Sequence, residues 1–285
     1  MAYSVPKQGV WKMASRGGPE GENTNIFRLM SWNIDGLDER NAEERTGAAC
    51  DTIMKLAPDV VFLQEVVPTT HTLLKARLSS KYTIHAANSI GYYTCTLVKN
   101  SSECRITTSL VQPFSNTKMG RNLLIVNACY KNIYLSLMNT HLESTGPATA
   151  ERLLQFQQAL GEMQIQDPDR VVFFGGDTNL RDKEVASMRG LPPGIVDLWE
   201  ACGADIKTKF TWDTTTNDNL DWQSGSFKPK IRFDRLFLRP AVGHATNLSI
   251  SSFKLIGKER LPGCQRFPSD HYGIVCDFDI LPGEV

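Results

Sequence analysis

Short apolar runs that end in polar groups recur along the chain. Val171-Val-Phe-Phe174, closed by Gly175 and Gly176, reads as a buried strand too short for a helix. It runs straight into Asp177, Thr178, Asn179, Arg181 and Asp182. Phe27–Trp32 alternates toward Asn33-Ile34-Asp35-Gly36, and Val60–Leu63 leads directly into Gln64-Glu65. Further strand-like runs cover Tyr92–Val98, Arg105–Val111, Asn122–Ala128, Ile133–Met138, Arg232–Leu238, Ser249–Leu255 and Tyr272–Phe278. Consecutive strands with short connections predict antiparallel pairing. Helical spacing appears over Ala42–Leu56, where Pro58 sets the stop, over Thr70–Leu78, and in the stripe Leu153, Phe156, Leu160, Met163. A short helix is expected near Val196–Ala201, and Phe210 to Pro229, rich in Thr, Asp, Asn and Gly, reads as an extended loop.

Composition narrows this picture without redirecting it. No internal repeat or linker divides the 285 residues, so residues 26–285 read as one domain behind a flexible leader, residues 1–25. No apolar run approaches ~20 residues, so no membrane span is expected. Seven cysteines without a Cys-x-x-Cys pair argue against a zinc site or a disulfide framework and for a reducing compartment. The formal net charge is +0, which leaves no global field to attract nucleic acid. Lys207, Lys209, Lys228, Lys230, Arg232, Arg235 and Arg239, followed by Lys254, Lys258, Arg260 and Arg266, read mainly as a solvated surface. A modest phosphate-facing patch among them stays open.

The chemistry lies in the strand ends. Asn33 and Asp35, Glu65, His141, Asp177 and Asn179, Asp234, and Asp270-His271 each follow or begin an apolar strand. One such residue is an ordinary turn or cap. Several would converge if the strands formed two sheets packed face to face with a common rim. That rim could hold Glu65 as a hard oxygen ligand for Mg²⁺, with Asp and His for proton work and amides for phosphate oxygens. Asp234, flanked by Arg232 and Arg235, reads as part of an ion pair that positions the site.

Trp32-Asn33-Ile34-Asp35, Gln64-Glu65, Asn139-Thr140-His141, Gly176-Asp177-Thr178-Asn179 and Ser269-Asp270-His271 resemble the exonuclease–endonuclease–phosphatase (DNase I-like) superfamily, from about Phe27 to Leu281. Trp32–Asp38, Thr140–Thr145, Gly176–Asp182, Thr211-Trp212-Asp213 and Arg266–His271 are similar to one branch of it. That branch hydrolyses the phosphodiester between a topoisomerase 2 tyrosine and the 5′ end of DNA, leaving a 5′ phosphate, in repair of trapped topoisomerase breaks. The resemblance implies an α/β four-layer sandwich of two mostly antiparallel sheets flanked by helices. It implies Mg²⁺, with Mn²⁺ as a substitute, on Glu65 and, through water, Asp35. By the same resemblance Asp177 aligns or deprotonates the attacking water, Asn33, His141, Asn179 and His271 surround the phosphate, and Asp270 orients the His271 ring. Arg181, Trp212, Ser144, Arg121 and Leu220 fall on the substrate side. The implied partner is a DNA 5′ end with a single-stranded overhang bearing the tyrosyl adduct; no membrane and no oligomer are implied. The implied residence is the nucleus, with the cytoplasm second. Abasic-site endonucleases and inositol polyphosphate 5-phosphatases share the fold and stand as the alternative.

Overall fold

The computed structural model describes residues 26–188, 190–221, 227–242 and 248–280, so the expected leader lies outside the described residues. The chain first forms β1 (Ile26–Asn33), α1 (Ala42–Leu56), β2 (Val60–Val66), α2 (Pro68–Leu78), β3 (Tyr82–Ala86) and β4 (Tyr93–Lys99). β5 (Cys104–Pro113), β6 (Asn122–Tyr130), β7 (Ile133–His141), α3 (Thr149–Ile165), β8 (Arg170–Asp177) and α4 (Asp182–Ser187) follow. Then come β9 (Val196–Asp197), α5 (Leu198–Ala201), a 3-10 turn (Ile206–Thr208), β10 (Trp212–Asp213), β11 (Lys230–Ile231), β12 (Asp234–Arg239), β13 (Leu248–Ile256) and β14 (Gly273–Ile280).

Two six-stranded sheets result, ordered β13-β14-β1-β2-β4-β3 and β5-β6-β7-β8-β12-β9. Among the described residues only the β1–β2 and β7–β8 pairs are parallel; each is bridged by a helix, the usual parallel crossover. Phe27, Phe62, Leu124, Phe173, Leu236 and Phe278 fill the space between the sheets. Trp32, Val61 and Leu63 pack outward with Ile53 of α1 and Leu74 of α2, while Phe156 of α3 covers Phe174 and Phe237. The layers are therefore helix, sheet, sheet, helix. Each fully buried Phe contributes about 1.5–3 kcal/mol, which makes these three apolar layers the main support of the frame.

The strands depart from expectation where burial is weak. Tyr82–Ala86 forms an edge strand that its mixed, half-exposed side chains do not announce. Val196 and Asp197, expected as helix, pair instead with β12. Asp197 then caps the single turn α5 by accepting the Trp199 amide N–H at 3.0 Å. The polar stretch after Phe210 is bracketed by a two-stranded ribbon in which Trp212 faces Ile231 and Asp213 faces Lys230.

Register sets the polar ends side by side. In the first sheet Asn33 lies opposite Gln64; in the second, His141 lies opposite Asp177, and Asp177 opposite Asp234. Below this rim the sheets are stitched by amides. Gln64 donates to Asn139 Oδ1 at 2.9 Å, and Asn139 donates to the carbonyls of Leu63 (3.2 Å) and Cys95 (2.9 Å). Gly176 admits this joint. Its φ is +125°, and a Cβ there would stand 2.1 Å from the Thr140 carbonyl oxygen and 2.9 Å from Gln64 Nε2.

Candidate active site

Glu65, His141 and Asp177 offer three ligand atoms that all lie within 4.8 Å of one another, contributed by both sheets. The Asn33 amide ties them together, donating to Glu65 Oε1 at 3.0 Å and to Asp177 Oδ2 at 3.1 Å. His141 Nε2 lies 3.3 Å from Asp177 Oδ2 and 3.9 Å from Glu65 Oε1. Asn179 closes the group by donating its backbone N–H to Asp177 Oδ1 at 2.9 Å. Asp35, Glu65 and Asn179 have φ values of 50°, 54° and 52°. Left-handed backbone at non-glycine residues is costly and collects where a site over-determines it.

His271 enters from the segment before β14. Ser269 Oγ donates to the Asn33 carbonyl at 2.6 Å and accepts the His271 N–H at 3.0 Å, and Trp32 Nε1 donates to the His271 carbonyl at 2.9 Å. The ring is held by Asp234 Oδ2, 2.8 Å from Nδ1. This corrects the expectation for Asp270. Its Oδ2 instead accepts from Trp212 Nε1 at 3.1 Å, because residues adjacent in a loop need not face the same way. Asp234 does position the site, but not through the flanking arginines. Arg232 pairs with Asp197 at 2.8 Å and Arg235 with Asp182 at 2.8 Å. Successive strand residues face opposite sides, which separates Asp234 from Arg235.

Charge is dense here. Burial pushes Glu65 up to about 7, with the Asp270 and Asp177 carboxylates adding to it against the Asn33 hydrogen bond. Burial and Asp270 likewise raise Asp35 to about 7, against the opposing Arg45. Burial also works against ionisation of Asp177, but His141, His271 and Asn33 outweigh it and hold the carboxyl below the usual range. Burial pushes His141 down to about 4, helped by Arg121. For His271 burial is overcome by Asp234, Asp270 and Asp177, and its pKa lies well above the ordinary value. Crowded carboxylates that resist ionisation are what a divalent cation relieves, so the donor set fits a metal ion. Among the described residues Glu65 accepts one amide hydrogen bond, from Asn33, which leaves lone pairs for such an ion. Asp35 is not among the three converging ligands; its Oδ2 is paired with Arg45 Nη1 at 3.0 Å.

The substrate-side residues form two walls. On one, the Arg181 guanidinium lies over Phe233 (5.4 Å), and Phe233 packs against Trp212 (5.4 Å) and His271 (6.3 Å). On the other, the buried Arg121 guanidinium lies 4.9 Å from the Tyr92 ring, which meets His141 edge-on at 6.1 Å. Ser144 sits beside it with Oγ 3.2 Å from Met119 Sδ. Leu220 is half-buried in the loop whose Asn217 and Asn219 amides donate to the Ser269 and Phe267 carbonyls. Tyr92 and Phe233 escape sequence reasoning as site residues, since an aromatic at a strand end reads as core. The cation placed over each ring becomes visible only in space. His71 bonds Tyr93 OH at 2.9 Å away from these walls, and His244 lies outside the described residues.

Comparison with known proteins agrees with this geometry. The family model described as Endonuclease/Exonuclease/phosphatase family matches residues 30–271. Tyrosyl-DNA phosphodiesterase 2 of Homo sapiens is 42% identical over 272 residues, 95% of this chain and 73% of that protein. A crystal structure of D. rerio TDP2 complexed with single strand DNA product is similar with a TM-score of 0.85 and 38% identity, over 89% of this chain and 99% of that one. TDP2 from C. elegans superposes with a TM-score of 0.80 at 39% identity, over 89% of this chain and 75% of that one. The chain belongs to the endonuclease/exonuclease/phosphatase family, and within it to the tyrosyl-DNA phosphodiesterase 2 group.

Proposed function

We propose that this chain is a Mg²⁺-dependent 5′-tyrosyl-DNA phosphodiesterase, releasing the tyrosine of a trapped topoisomerase 2 from the 5′ end of DNA and leaving a 5′ phosphate. One observation carries the reading. Glu65, His141, Asp177 and His271 converge from two sheets beside the Arg181–Phe233–Trp212 wall, in a chain 42% identical to the human enzyme. An aromatic wall with a guanidinium suits the stacked bases and backbone of a single strand.

Glu65 would hold the metal, with Asp177 and His141 within reach, and Asp35 would act on it through water. Mg²⁺, or Mn²⁺ in its place, would supply positive charge to a phosphate oxygen when bound. Asp177, kept ionised and anchored by Asn33 and Asn179, aligns the attacking water in line with the departing oxygen. His271, kept protonated by Asp234, faces the developing phosphate charge, a contribution on the order of a few kcal/mol. Asn33, His141 and Asn179 complete the phosphate's surroundings. The leaving phenol has a pKa of about 10, so departure requires less proton donation than an alkoxide would. The nucleus is the proposed residence, with the cytoplasm second; seven free thiols suit either reducing compartment.

A rate comparison tests the activity. With Mg²⁺, a 5′-phosphotyrosyl oligonucleotide should be hydrolysed far faster than an abasic duplex or a soluble inositol polyphosphate. Equal or reversed rates would overturn the assignment.

A further inference from the structure

Behind the β10–β11 ribbon lies a second cavity, of about 400 Å³, that the proposed reaction does not use. The ribbon separates the two. Trp212 and Ile231 are cross-strand partners on one face, while Asp213 and Lys230 pair on the other and line the cavity. Lys207, Lys230 and Lys258 surround the opening, exposed, and none forms an ion pair with a carboxylate among the described residues. Asp213, the carboxylate in the lining, is turned to its own loop, accepting from the Thr215 N–H at 2.9 Å.

Between the lysines stand Phe210, Phe267 and Tyr272. Lys230 lies 4.9 Å from the Phe210 ring and Lys258 lies 5.3 Å from Tyr272, which meets Phe267 edge-on at 6.2 Å. Phe267 and Tyr272 are buried and floor the cavity, while Phe210 is partly exposed, so the Lys230 ammonium beside the Phe210 ring offers one phosphate contact and one base-stacking face of the kind a single strand uses. A small acidic metabolite would meet the lysines but leave the partly exposed Phe210 ring without a partner of its own. The cavity also shares backbone with the active site. Tyr272 follows His271, Asp213 follows Trp212, and the Tyr272 N–H donates to the Thr211 carbonyl at 2.7 Å.

We propose that this pocket is a distal subsite for single-stranded DNA, holding nucleotides that lead away from the 5′ end gripped at Trp212. The proposal rests on the activity proposed above and adds a length requirement to it: strands too short to round the ribbon make no use of the pocket.

The test measures binding of 5′-phosphorylated oligothymidylates of ~4 and ~12 nucleotides by fluorescence anisotropy, with salt titration. The native chain should bind the longer strand roughly tenfold more tightly. Combined Lys207→Glu, Lys230→Glu and Lys258→Glu should abolish that gain while leaving the short strand and its turnover within about twofold. The slope of log Kd against log salt for the long strand should fall by about 2, at ~0.7 per phosphate contact. Phe210→Ala should remove part of the gain without changing the slope. Affinity independent of length, a triple variant that keeps the gain, or an equal loss on reversing Lys55, Lys75 and Lys81 of the α1–α2 side would each overturn the subsite. A native chain that binds by length yet releases no tyrosine would sink the catalytic reading and leave the subsite standing.

Discussion

His141 and His271 flank the same carboxylate, with Nε2 atoms 3.3 and 3.9 Å from Asp177 Oδ2, and they are almost equally buried, 5% and 6% exposed. Their proton affinities are nevertheless pushed in opposite directions. His141 is pushed down to about 4 by burial and the Arg121 cation, and its Nδ1 has no partner among the described residues. His271 is driven the other way by Asp234, Asp270 and Asp177, with Asp234 held directly on Nδ1. Burial disfavours the charged ring in both, so the neighbours decide. The site thereby sets a ring that favours its neutral form beside one that favours its charged form, on either side of a single carboxylate.

The sharpest way to break this arrangement is to remove the charge between the rings. Asp177→Asn should lower kcat by roughly 10²–10³-fold with DNA affinity largely retained. Near-normal turnover in that variant would show that the water is aligned by something else. Asp234→Asn should have a smaller effect, roughly 10²-fold on kcat, and a distinctive pH signature. Asp234 raises the pKa of His271, so the charged ring persists to higher pH; without it burial dominates and the proton leaves at a lower pH. The alkaline fall of the pH–rate profile should therefore move toward neutrality. Asp270→Asn should move it less, since that carboxylate bonds Trp212 instead. An equal shift in both variants would erase the distinction drawn between them. The mildest change is Arg121→Gln, which should raise the His141 pKa in an NMR titration and cost only a few-fold in kcat/KM. A ring that titrates unchanged would leave burial as the whole cause.

The frame and much of the rim can be read along the chain, because both follow from local pattern. An apolar run that stops at a polar group marks a strand and its exposed end together, as at Leu63-Gln64-Glu65 and Phe174-Gly-Gly-Asp177. The α1 boundaries, Ala42 and Leu56, follow from helical spacing and Pro58. Pairing between distant segments is another matter. The family resemblance gives Asp270 as the partner of His271, whereas strand register brings up Asp234, 37 residues earlier. The ring placements of Tyr92 beneath Arg121 and Phe233 beneath Arg181 depend on the same long-range register. The edge strand Tyr82–Ala86 is obscure for a different reason: with one neighbour and half-exposed side chains, it carries no clean alternation.

The Gln64–Asn139 joint is a polar seam running beneath the rim between two largely apolar faces. Glu65, Asn33 and His271 ride on one slab, His141, Asp177 and Asp234 on the other. Slippage of the slabs by even an ångström would misalign the reacting groups while every strand kept its own partners. Warming should therefore silence the enzyme before its circular dichroism changes, and catalysis would serve as the earlier thermometer of this fold.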